Sequence, residues 1–193
     1  MNKSLTIFIC FSFLIACTDQ SAKSYFEDGL WALNMDDVQG AIKNYRKAIE
    51  INTEYHEVRH RLASIYIDEK EYDKAMFHCN YLIEKNALEM SPYYCVGVIH
   101  FEKEDYMQAA EMLEKQMKFD PNTGGAPRWL AKAYIKLNKF NDAEKALVIQ
   151  KNQADYDVGY NKLMGEILIG QGKKNEAQQF FSKAKSLNLE YSR

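Results

Sequence analysis

Small residues recur in this chain every 34 positions, and that spacing restricts the fold more than any other feature. One series runs Gly29, Ala63, Gly97, Ala131, Gly165. A second, twelve residues further on, runs Ala41, Ala75, Ala109, Ala143, Ala177. Neither series skips a step. Five copies of one unit therefore tile residues 22–191, with bounds 22–55, 56–89, 90–123, 124–157 and 158–191. Such a period belongs to arrays in which each unit buries its apolar face on its neighbours, so no single deep core is needed.

Each unit reads as two helices. In the third, Met90–Thr123, Pro92 opens the first helix, where a missing N–H costs nothing. Glu104 and Asp105 mark the turn, the second helix runs to about Lys118, and Pro121 breaks the chain before the next unit. Pro92, Pro121 and Pro127 all fall at unit junctions, and Gly124-Gly125 is the expected soft point between the third and fourth. The small series lets the two backbones approach. Leu62, Val96, Leu130 and Met164 fill space beside it, and Tyr45, Cys79, Leu113, Leu147 and Phe181 face it from the second helix. The apolar series Leu33, Ile67, Phe101, Ile135, Ile169 reads as helix-to-helix packing. The first unit fits least well, with Asp28 and Ala32 where the others carry large groups, as terminal units often do. The last helix must cap the array itself, with Lys173, Lys174, Gln178, Gln179, Ser182 and Lys185 outward; Phe180 breaks that outer face.

The period, the glycine and alanine series and the closing Asp120-Pro121-Asn122 resemble the tetratricopeptide repeat. The resemblance implies an all-α fold, a right-handed superhelical solenoid of five helix-turn-helix repeats. It also implies a non-enzymatic scaffold that needs no cofactor and holds a protein or peptide segment in an inner groove. By that resemblance the groove is lined by first-helix residues. The partner-binding candidates are Phe26, Leu30, His60, Tyr94 and Val98, apolar or aromatic, followed by the basic Arg128, Lys132 and Lys162. This order suits a segment with hydrophobic anchors and an acidic end. The lysine and asparagine of a carboxylate clamp are missing where Phe26 and Leu30 stand.

The N-terminus predicts an address. Lys3 precedes an apolar run, Leu5–Ala16, too short for the roughly 20 residues of a membrane span and suited to a signal-peptide core. It ends in Leu14-Ile15-Ala16-Cys17, which resembles the lipobox of bacterial lipoproteins. That resemblance implies removal of residues 1–16, a lipid such as palmitate on Cys17 and attachment to the membrane through it. With Thr18 rather than aspartate next, it also implies the periplasmic face of the outer membrane. Residues 18–21 would then be a tether reaching roughly 14 Å. Together the two resemblances look like the small lipoproteins that assist type IV or Tad pilus assembly and secretion, including pilotins. A periplasmic peptide-binding chaperone of the cytochrome c maturation type is the alternative within the binding class.

Other chemistry is sparse. The formal charge is −2, and loss of Lys3 with a leader makes it more negative, so there is no basic footprint for nucleic acid. His56-Glu57-Val58-Arg59-His60 matches the HExxH spacing of zinc peptidases. The string lies inside a helix that the repeat register already explains, it carries Arg59 internally, and no third ligand motif follows, so the metallopeptidase alternative is disfavoured and no metal ligand is assigned. Cys79 and Cys95 share an oxidising compartment on this reading. Helical spacing turns Cys95 away from its own helix-pair core, which predicts two free thiols.

Overall fold

The computed structural model describes residues 20–121, 125–153 and 156–190. The leader, Cys17 and Thr18 lie outside them, as do Asn122, Thr123 and Gly124 at the soft junction. Among the described residues all regular structure is helical, and none of these helices is long and apolar enough to cross a membrane. The contacts divide the chain into two compact units, up to Met90 and from Ser91 onward.

The first unit contains α1 (20–34), α2 (Val38–Ile51), α3 (His56–Asp68) and α4 (Tyr72–Glu84), then a 3-10 turn, Leu88–Met90. Helix α1 already includes Gln20 and Ser21, half of the stretch read as a tether. The second unit contains α5 (Pro92–Glu102), α6 (Tyr106–Phe119), α7 (Ala126–Lys136), α8 (Phe140–Val148), a 3-10 turn at Lys151–Gln153, α9 (Val158–Gly170) and α10 (Lys174–Glu190). Pro92 and Pro127 occupy the opening positions of α5 and α7, where no intrahelical donor is lost.

The 34-residue series does what close packing requires. A Cβ added to Gly29 would lie 2.3 Å from the Tyr45 ring. One on Gly97 would lie 2.6 Å from Leu113, and one on Gly165 2.5 Å from Phe181. Glycine thus stands opposite Tyr45, Leu113 and Phe181, and alanine, Ala63, stands where the facing position holds the small Cys79.

The turn inside each repeat is also periodic, in a way the residue types hide. Asp36, Lys70, Glu104, Asn138 and Gly172 all have positive φ, of 57°, 60°, 64°, 57° and 79° in that order. The next residue's N–H reaches back to the first helix, as in Glu71 to the Tyr66 carbonyl, Asp105 to His100, Lys139 to Tyr134 and Lys173 to Leu168, each at 2.8 Å. This is the Schellman pattern, a left-handed residue that closes a helix and frees the chain to turn back.

In the second unit, buried residues from α6 to α10 form one core cluster that includes Leu113, Leu130, Leu147, Met164 and Ile167. Phe180, which breaks the polar face of α10, packs partly buried against it. Phe101 meets the edge of Trp129 in the next repeat at 5.0 Å, while its counterpart Ile169 is 46% exposed.

The expectation of two free thiols is corrected: Cys79 and Cys95 are both disulfide-bonded. The spacing argument considered only each cysteine's own helix pair. Facing away from that pair is not facing water, and Cys95 is buried with 5% exposure, Cys79 fully so.

Candidate functional site

The two units carry the sequence-derived groove residues separately. In the first unit Phe26 is 8% exposed and packs between Tyr45 and Tyr55, with ring centroids at 5.8 and 5.4 Å. It is a core residue of α1. Leu30 is half-buried. His60 is half-buried too, and its imidazole donates to the Met90 carbonyl; burial, chiefly, lowers its pKa.

The HExxH string is explained by its neighbours. Arg59 is buried, donates through Nε and Nη2 to the Thr53 carbonyl at 3.1 and 2.9 Å, and lies 3.6 Å over the Tyr81 ring. Tyr81 and Lys85 both reach Glu54, at 3.0 and 2.8 Å, and the His56 Nε2 lies 3.5 Å from the same carboxylate. These contacts tie the 52–55 turn to α3 and α4. Among the described residues no group of three histidine, cysteine, aspartate or glutamate side chains is arranged to hold a metal ion.

The second unit brings more of the candidates together, because its first helices pack side by side: α5 on α7 and α7 on α9. Val98 is buried with 5% exposure, so it packs rather than presents. Tyr94 is half-buried; its hydroxyl meets the Trp129 indole, and burial raises its pKa. Lys132 sits 4.3 Å over the Trp129 ring. Lys162 on α9 is exposed.

Arg128 has a different task. Its Nη2 meets the Asp157 carboxylate at 2.5 Å, and its Nε donates to Gln150 at 3.0 Å. Asp157 in turn caps α9 by accepting from the Tyr160 N–H at 2.7 Å. The guanidinium therefore joins the fourth repeat to the start of the fifth. The arrangement leaves a face of Tyr94, Trp129 and Lys132, an aromatic pair with one ammonium group, while Lys162 is exposed on the neighbouring α9. Trp129 is absent from the sequence-derived set. Its signal was there, because its register series runs Glu27, Arg61, Cys95, Trp129, Leu163, and a lone large aromatic in a variable series suggests more than packing.

Two family models described as tetratricopeptide repeat match residues 32–93 and 163–191. A third, described as anaphase-promoting complex, cyclosome, subunit 3, matches residues 68–149. The chain is built of tetratricopeptide repeats. Solved structures of similar fold include MamA from Desulfovibrio magneticus RS-1, with a TM-score of 0.76 at 15% identity over 88% of this chain and 96% of that one. They also include pilF of Pseudomonas aeruginosa, with a TM-score of 0.75 at 17% identity over 88% of this chain and 78% of that one. Among curated relatives, anaphase-promoting complex subunit 3 of Schizosaccharomyces pombe is 28% identical over 145 residues, 75% of this chain and 22% of its own. BBSome complex member BBS4 of Bos taurus is 28% identical over 161 residues, 81% of this chain and 29% of its own. The tetratricopeptide array thus spans less than a third of the length of these curated relatives. Its architecture is that of a protein-interaction scaffold.

Proposed function

We propose that this tetratricopeptide protein is a lipid-anchored scaffold of the bacterial envelope, which holds a segment of a partner protein on the first-helix face of its second unit. The observation that carries the binding half is the Trp129 ring, half-buried between the Tyr94 hydroxyl and the Lys132 ammonium. An aromatic platform with Lys132 over it, and Lys162 exposed on the neighbouring α9, suits an apolar side chain followed by a carboxylate. The membrane half rests on Leu14-Ile15-Ala16-Cys17 behind its apolar run. A role in type IV or Tad pilus assembly or secretion is the pathway that this combination of lipobox and repeats favours.

Two measurements test the halves separately. Labelled palmitate should enter the wild type and not Cys17→Ser; equal labelling of both removes the anchor. For the groove, peptides with hydrophobic anchors and an acidic end should bind the full chain. Replacing both Lys132 and Lys162 by alanine should weaken binding most at low salt, where exposed charges are least screened. Binding that ignores both the lysines and the salt removes the groove reading.

A further inference from the structure

Helix α2 carries three cations, Lys43, Arg46 and Lys47, whose spacing of three and four residues puts them on one face. Lys43 and Arg46 are exposed. Lys47 is half-buried, with its ammonium 4.9 Å from the centre of the Tyr25 ring on α1. The three line one surface hollow of about 320 Å³ with Gln39, Ile42 and Glu50, so their charges face a shared space beside one carboxylate. Among the described residues none of the three forms an ion pair. Nearby on α4, the Glu71 carboxylate is already bonded to Lys74.

The repeat itself does not call for cations at these places. The same three register positions hold Phe77, Asn80 and Tyr81 on α4, and no later repeat has more than one cation there. Two of those single cations are neutralised, Lys115 by Glu111 and Lys145 by Asp142. What sets α2 apart is its place beside the residue read as lipidated. Helix α1 begins at position 20, three residues after Cys17, and the Lys47 contact with Tyr25 lies five residues further on. With three residues at most fully extended and five at the helical rise, Tyr25 stands within roughly 18 Å of Cys17. A lipid on Cys17 would hold that residue at the level of the headgroups.

We propose that Lys43, Arg46 and Lys47 dock on the anionic phosphate headgroups of the membrane that holds the Cys17 lipid, a second attachment that fixes which face of the first unit meets the bilayer. This inference rests on the lipid-anchor reading. A lipid alone fixes one point and leaves the chain free to swing. The partner is the bilayer because the lipid already keeps it within reach of these cations, so the second contact forms at a high effective concentration. Guanidinium and ammonium groups both suit phosphate oxygens, and the signs are complementary. Each such cation near an anionic surface strengthens binding roughly fivefold, and three together about a hundredfold.

Pelleting with vesicles tests the patch without the lipid. The chain from residue 17 onward, carrying Cys17→Ser, contains every described residue. At low salt it should pellet with vesicles of equal parts phosphatidylglycerol and phosphatidylcholine, and added salt should release it. The variant Lys43→Gln/Arg46→Gln/Lys47→Gln should need at least about tenfold more anionic lipid to pellet. An equal change of charge at exposed lysines of the second unit, Lys118→Gln/Lys174→Gln/Lys185→Gln, should have little effect. Circular dichroism should be the same for all three chains. A Cys17→Ser chain that stays in solution overturns the proposal, as does equal pelleting with phosphatidylcholine alone, where the contact would be apolar. Equal losses in the two triple variants overturn it too, since net charge and not the α2 face would then govern binding. A chain that passes this test and takes up no palmitate keeps the patch and loses the anchor; the converse keeps the anchor and loses the patch.

Discussion

At the scale of single residues, the repeat is governed by two conflicting steric demands. The small series must stay small: Gly165→Ala would drive a methyl into the Phe181 ring, and overpacking of this kind costs about 1–3 kcal/mol. A denaturant midpoint lowered without a change in slope would register it. The turn series has the opposite problem. Lys70 and Glu104 hold a left-handed backbone that costs an L-residue roughly 1 kcal/mol and glycine nothing. Glu104 is exposed, so Glu104→Gly should raise the midpoint by about 0.5–1 kcal/mol of stability. The same replacement inside a helix would lower it, so a loss at this position would contradict the assigned turn.

At the scale of elements, α3 and α4 hold a buried histidine that makes folding sensitive to acid. His78 stacks on Tyr66 at 5.8 Å, with Phe77 edge-on and Arg59 as the nearby charge. Burial first, and the Arg59 charge second, bring its pKa down to about 4. The unfolded chain then binds more protons than the folded one between about 6.5 and 4. The stability associated with a neutral His78 is fully present above the unfolded value and is lost as pH falls through that window. Urea unfolding at a series of pH values should show this slope, and His78→Phe, which keeps the ring stack, should flatten it. An identical slope in the variant would place the titration elsewhere. The pair of glutamines at one register position follows a related logic. Gln116 accepts from the Tyr94 N–H at 3.4 Å, near the start of α5, and Gln150 accepts from Arg128 on α7. Each accepts from a polar group of its own repeat's first helix, as partly buried polar groups require.

At the scale of the whole molecule, the disulfide state and the address are open to chemistry. In protein kept from reductant, Cys79 and Cys95 should resist alkylation under denaturing conditions and become reactive after reduction. Two thiols alkylated without reductant would restore the free-thiol expectation. On the proposed lipid anchor, extraction of the wild type should need detergent, and Cys17→Ser should be recovered without it.

Periodicity by itself picked out the helix pairs and residues that face each other within them, such as Gly97 and Leu113, because a recurring small residue signals close backbone approach. It also flagged the first repeat as irregular at Asp28. The tertiary structure alone decided what each exposed-looking position does. Phe26 and Val98 belong to the packing because neighbouring helices cover them, a fact no helical spacing contains. Arg128 is spoken for by Asp157, which lies 29 residues away in sequence. Trp129 gained its place in the site from the Tyr94 hydroxyl and the Lys132 ammonium. Burial is a property of the surroundings, and the surroundings of a first helix come from repeats before and after it.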